Sequence, residues 1–167
     1  IELGFATIAE VARQLEARTL SPVELLDTLL ERIGVYEPKL NAFVTLTSER
    51  AKQAARAAER EIAGGRYRGP LHGVPFGLKD IYETEGVKTT ACSRVFQDYV
   101  PASDATTTRR LHDAGGVLLG KLVTHEFAHG GPSFDLPWLP ARNPWHFDHV
   151  TGGSSSGSGA AVAAGLM

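Results

Sequence analysis

Four short stretches carry residue types that could do chemistry. The first is Gly152-Gly153-Ser154-Ser155-Ser156-Gly157-Ser158-Gly159, which runs into Ala160-Ala161-Val162-Ala163-Ala164. A glycine- and serine-rich loop feeding a helix offers hydroxyls and free backbone N–H groups at a positive helix end, where an anion or developing oxyanion is stabilised. A flexible linker has similar composition, but a linker does not open into an apolar helix. Three motifs compete here. The dinucleotide fingerprint fails, because Gly157-x-Gly159 is followed by Val162 where a third Gly or Ala belongs. The phosphate loop fails for want of Gly-Lys-Ser/Thr. Gly153-x-Ser155-x-Gly157 does match the nucleophile elbow of α/β-hydrolases, with Ser155 as an esterase-type nucleophile. That elbow needs a strand directly before it, and His146-Phe147-Asp148-His149-Val150, with Pro144 upstream, is a poor one.

The second stretch, His125-Glu126-Phe127-Ala128-His129, has the spacing of a zinc-protease helix. Gly130-Gly131-Pro132 follows at once and would break such a helix, and no Glu follows Glu126 as a third ligand. No metal is expected. The segment reads instead as a strand-to-loop turn with histidines as hydrogen-bonding groups. Gly130 and Gly131 could bring backbone close to a substrate carbonyl, or be plain turn glycines. The third stretch is the apolar run Val74 to Asp80, which ends on Lys79. Taken alone, Lys79 reads as a solvated strand end. The fourth is Cys92, without an activating partner nearby in sequence and expected as a small buried residue. A single cysteine excludes an internal disulfide or a cysteine-rich zinc site.

The elements that must position these residues alternate between helix and strand. Thr7-Ile8-Ala9-Glu10 and Ser21-Pro22-Val23-Glu24 are capping boxes, the second with Pro at the first helical position. Leu25, Leu26, Leu29, Leu30 and Ile33 form one helical stripe. Ala42 to Leu46 predicts a strand, Glu49 to Ala63 an Ala-rich helix stopped by Gly64-Gly65, and Val117 to Leu119 a buried strand. Asp104 is a candidate cap for a helix through Ala114. In the run Val74 to Asp80, alternation places Val74, Phe76 and Leu78 on one face and Pro75, Gly77 and Lys79 on the other. Pro75 makes this strand an edge, bulged or frayed at its start. The alternation of helix and strand therefore points to α/β, helices covering a sheet, with 1–66 a helical N-terminal region and 67–167 the core portion that carries the lysine and the Gly/Ser motif.

Length and charge bound the function. The chain has 167 residues, 43% hydrophobic and 22% charged, with a net charge of −2. Its pI of 6.3 argues against nucleic-acid binding. No stretch of 18 apolar residues suggests a membrane span, and no signal peptide is visible, so a cytoplasmic protein is expected. Eleven of the twelve Glu residues precede residue 90. The first part thus reads as solvated helices and the last part as buried or functional loop. The chain starts at Ile1 and reaches Met167 inside an apolar stretch without a stop signal. The expectation is a portion of a longer protein, with open sheet edges that invite self-association and a possible homo-oligomer.

Taken in order, Gly73-Val74-Pro75-Phe76-Gly77-Leu78-Lys79-Asp80, Gly120-Lys121 with His125-Glu126-Phe127-Ala128, Arg142-Asn143-Pro144-Trp145, and Gly152-Gly153-Ser154-Ser155-Ser156-Gly157-Ser158 resemble the amidase signature family. The resemblance spans almost the whole chain but only the N-terminal portion of the family's domain. It implies a mixed sheet between helices and a Ser–Ser–Lys triad without cofactor. Lys79 would be the triad lysine and Ser154 the bridging serine on a cis peptide bond. The nucleophile and the oxyanion N–H groups would lie in a later Gly-Gly-Ser segment beyond Met167. Ser155 could join the same cluster or cap the helix. One departure is Thr90-Ala91-Cys92-Ser93, where many members have Thr-Ala-Gly-Ser. If glycine is needed there, the loop after Lys79 packs differently.

The implied activity is hydrolysis of a small-molecule amide to carboxylate and ammonia or amine. Lysine can serve as base only when neutral, which requires burial without a paired carboxylate. Asp80 should point to the opposite face and leave Lys79 unpaired. The alternatives are the amidase component of a tRNA-dependent amidotransferase and the Ser155 esterase. The stretch from His125 to Asp135 reads less like the amidotransferase components than like stand-alone amidases. By itself, the 167-residue chain is expected to be inactive.

Overall fold

The computed structural model describes residues 2–167. The chain opens with α1 (Ile8–Glu16) and α2 (Pro22–Leu40). The Thr7 box closes in both directions: Thr7 Oγ1 accepts from the Glu10 amide at 3.3 Å, and the Glu10 carboxylate accepts from the Thr7 amide at 2.8 Å. At α2 only half of the expected box forms. Ser21 Oγ accepts from the Glu24 amide at 3.0 Å, with Pro22 in the first turn, and the reciprocal carboxylate bond is not seen among the described residues. Pro22 brings a φ already suited to the first helical turn and has no N–H of its own to satisfy. Leu25, Leu26, Leu29 and Ile33 are buried and Leu30 partly so. The helix ends at Asn41, in the left-handed region at φ 51°.

Next come β1 (Phe43–Leu46), α3 (Ser48–Ala63), β2 (Pro75–Lys79), α4 (Thr106–Asp113), β3 (Val117–Leu122) and α5 (Ser156–Ala163). The sheet order is β1-β3-β2, with β1 antiparallel and β2 parallel to β3. It is a mixed sheet, as expected, and β1 from the helical N-terminal stretch supplies one of its edges. All six residues of β3 are buried, which accounts for its apolar character on both faces, Lys121 apart. β2 lies on the other edge, and its register against β3 shifts between Phe76 and Gly77. The shift interrupts simple alternation: Pro75 and Leu78 are buried while Phe76 and Gly77 are half-buried. The Ala51, Ala55, Ala58 and Ile62 stripe of α3 packs toward α2 and β3.

Asp104 does not cap α4. The cap position is Ala105, and the Asp104 carboxylate instead accepts from the Glu85 amide at 2.7 Å and faces His112 Nδ1 at 3.0 Å. A carboxylate bonded to both a loop amide and a histidine ring is better satisfied there than at a helix end. The far end of α5 is held by Arg32 of α2. Its Nε donates to Gly165 O and its Nη2 to Ala164 O, each at 2.9 Å, and the guanidinium lies against the Phe5 and Tyr36 rings. A cation on the last carbonyls of a helix complements its dipole. No helix among the described residues is long and apolar enough to cross a membrane.

Candidate active site

The end of β2 delivers Lys79 to the start of α5. Lys79 Nζ lies 2.6 Å from Ser154 Oγ, across 75 positions of sequence. The amine is half-buried, and burial alone pushes it below the ordinary lysine range, with no carboxylate stabilising its charged form. Asp80 turns to the other side of the strand, as alternation requires. It is fully buried, with Oδ1 3.2 Å from Lys121 Nζ and Oδ2 accepting from the Thr90 amide at 2.9 Å and Thr90 Oγ1 at 2.5 Å.

Ser154 is held by its backbone. The Gly153–Ser154 peptide bond is cis. The Ser154 carbonyl accepts from the His125 amide at 3.0 Å, and the Gly157 amide donates to Val123 O at 2.9 Å. Two glycines make this packing possible. A Cβ on Gly153 would stand 2.1 Å from the His125 ring, and one on Gly157 would stand 2.3 Å from the Ala42 carbonyl. At these two positions the loop has glycine because other groups occupy the space of a side chain.

The remaining candidates are arranged differently. Ser155 is exposed at the N-cap position of α5 and makes no capping bond. No strand leads into it. The chain upstream pairs only through an isolated Arg142–Val150 bridge, so the nucleophile elbow is not formed. Glu126–Ala128 is a single 3-10 turn with Phe127 at φ 48°, so the HExxH stretch does not place its histidines on one helical face. His125 Nδ1 faces the Gly130 carbonyl at 2.8 Å. Gly130, at φ +71°, and Gly131 are exposed, and a Cβ on either would meet nothing within 4 Å. Cys92 is buried, as expected, with Sγ accepting from the Thr124 amide at 3.4 Å and its thiol pushed up to about 11 by burial. Its φ of 47° lies in the left-handed region, which is the physical sense of a glycine at this position. A cavity of about 390 Å³ lies between residues 132–151 and the ends of β3 and α5, lined by Thr124, His125 and Ser156 but by neither Lys79 nor Ser154.

Sequence reasoning finds Lys121 only as part of a motif. Its signal is a lysine inside the apolar run Val117 to Val123, which forces a buried cation to find a buried partner.

This scaffold, a small mixed sheet between helices with a lysine and a glycine-rich serine loop brought together, has the fold of the amidase-signature enzymes. The chain belongs to the Amidase family, whose model matches residues 24–167. It is similar to the first (A) component of the glutamyl-tRNA(Gln) amidotransferase of Geobacter metallireducens, 44% identical over 98% of this chain and 34% of that protein. It is likewise similar to the same-named protein of Halorhodospira halophila, 48% identical over 96% of this chain and 33% of that protein. Among solved structures, native peptide amidase from Stenotrophomonas maltophilia superposes with a TM-score of 0.89 at 37% identity, over 96% of this chain and 34% of the amidase. The chain spans about a third of the length of the curated relatives it matches.

Proposed function

We propose that this chain supplies the base and the bridging serine of an amide hydrolase. The observation that carries the reading is the 2.6 Å contact between Ser154 Oγ and a Lys79 amine that burial has disposed to lose its proton. Neutral Lys79 accepts the Ser154 hydroxyl proton while Ser154 accepts the proton of a serine nucleophile. That nucleophile, with its oxyanion donors, lies in the part of the relatives' length that these residues do not span. It attacks the amide carbon and forms a tetrahedral oxyanion. The proton then returns through Lys79 and Ser154 to the departing nitrogen, and ammonia or an amine leaves. Water hydrolyses the acyl-serine by the same relay. Ser155, exposed beside Ser154, and the Gly130–Gly131 backbone contribute to the substrate's surroundings. The substrate is a small-molecule amide, the reaction needs no cofactor, and the protein works in the cytoplasm; the 167 residues by themselves self-associate through open sheet edges. The test is Lys79→Ala in the full-length protein. Amide turnover within a few-fold of the parent removes Lys79 from the mechanism.

A second reading is the amidase component of a tRNA-dependent amidotransferase, which liberates ammonia for a partner. It is favoured by the names of the curated relatives, at 44–48% identity against 37% for the peptide amidase. The 125–135 stretch points toward stand-alone amidases and does not outweigh that identity. Stable co-purification of the full-length protein with tRNA and a second, different polypeptide selects this reading. A lone protein that hydrolyses amides rejects it.

A further inference from the structure

Among the described residues Lys121 is the largest side chain with essentially no exposure, and it sits in the middle strand of the sheet. A buried cation of this kind costs stability unless every donor is satisfied. Here each is. Lys121 Nζ donates to the Tyr82 carbonyl at 2.8 Å and to Thr89 Oγ1 at 2.6 Å, and lies 3.2 Å from Asp80 Oδ1. Asp80 in turn gathers the segment that follows β2. Its carboxylate takes the Thr90 amide and hydroxyl, and its carbonyl takes the Ala91 amide at 2.8 Å. Thr90 Oγ1 accepts from the Cys92 amide at 3.0 Å.

The bonding continues to the serine. The Ala91 carbonyl accepts from the Phe127 amide at 2.9 Å, and Cys92 Sγ accepts from the Thr124 amide. These two bonds fix the turn at 124–127, whose His125 amide holds the Ser154 carbonyl at 3.0 Å. An unbroken path thus runs from Lys121 through Asp80 and residues 89–92 to Ser154, and it passes through the residue next to Lys79.

We infer that the buried Asp80–Lys121 pair, with Thr90, is a positioning device for the Lys79–Ser154 contact, setting where Ser154 sits and giving the carboxylate next to Lys79 in the chain a cation of its own. The inference rests on the proposed role of Lys79 as base. The two opposite charges of the pair, 3.2 Å apart, also offset each other's field at a distance. The other titratable groups around the pair are Glu83 on the following segment and Cys92 on the facing one, and the Cys92 thiol is held uncharged by burial.

The test uses the full-length protein and compares kcat, KM and the pH dependence of turnover. A base must be unprotonated, so activity rises with pH along the acid limb. Lys121→Met leaves a carboxylate without its cation, favours protonated Lys79 and moves that limb to higher pH. Asp80→Asn leaves the Lys121 cation without its partner and moves the limb to lower pH. A merely structural pair moves neither. Thr90→Val, which changes no charge, lowers kcat about ten-fold or more with KM nearly unchanged, and Thr90→Ser restores it. This variant decides the matter if the charge variants fail to fold. Limbs that stay in place, or shift in the same direction, overturn the inference, as does a Thr90→Val protein with parental kcat. Lys79→Ala separates the two levels. If it stays active, the base assignment itself fails. If it is inactive and the limbs do not move, only the positioning role is lost.

Discussion

Lys79 and Asp80 are consecutive in the chain and face opposite sides of it, one amine on the hydroxyl of Ser154 and one carboxylate on the ammonium of Lys121. A strand end is the simplest way to keep a carboxylate covalently close to a lysine and still prevent the two from pairing. If they paired, the amine would stay charged and could not accept a proton.

The first prediction concerns that hydroxyl. Ser154→Ala in the full-length protein removes the relay's middle member and lowers amide turnover by about 10²–10⁴-fold. Burial lowers the Lys79 pKa, so the base form is populated at lower pH than for a solvated lysine. Turnover should therefore climb with rising pH and level off below the ordinary lysine range. A pH–rate profile that keeps climbing to the range of free lysine argues against a dry Lys79.

Gly153 and Gly131 make a matched pair for a steric test. A methyl at Gly153 collides with the His125 imidazole, whereas one at Gly131 enters open space. Gly153→Ala should cost about 1–3 kcal/mol of stability and most of the activity. Gly131→Ala should leave the melting temperature where it was. Thermal unfolding of the two variants side by side reads the contrast directly.

A third prediction follows from His72. It is buried, its Nδ1 accepts from the Arg68 amide at 3.1 Å, and burial pushes its pKa below the usual value despite Glu61 nearby. The folded state thus binds its proton less readily than the unfolded state. Stability is unaffected by this group above about pH 6.5 and falls as the pH drops from there toward the depressed folded value. Melting temperatures across that window should decline, and His72→Gln should flatten that part of the curve. An unchanged slope in the variant rejects His72 as its source.

The fourth prediction is about the 167 residues alone. They contain the proposed base and bridging serine but no nucleophile in this reading. Purified 1–167 should show no amide turnover and no labelling by a serine-directed fluorophosphonate. Robust hydrolysis would return attention to Ser155, the exposed serine beside the cis bond.

Much of this was legible in the residues. The Thr7 cap, the leucine stripe of α2 and the all-buried β3 follow from patterns whose physics is local or set by one burying face. The opposed directions of Lys79 and Asp80 follow from the two-residue period of a strand. Less accessible were features decided by distant partners. Asp104 has the right type for a cap but is claimed by Glu85 and His112, which no local rule foresees. Lys121 reads as punctuation in an apolar run, because its counter-charge lies 41 positions away. The elbow motif at Ser155 matches in letters and fails in architecture, since the strand it requires is absent from residues 151–155.

The guanidinium of Arg32 gives the opening helices a stake in the chemistry. The helix that begins just after Ser154 finishes against a cation carried by α2, itself steadied by the rings of Phe5 and Tyr36. The brace acts at the tail of α5, the end opposite the glycine-rich turn that carries Ser154. The leading residues are therefore braced, through Arg32, to the element that follows Ser154.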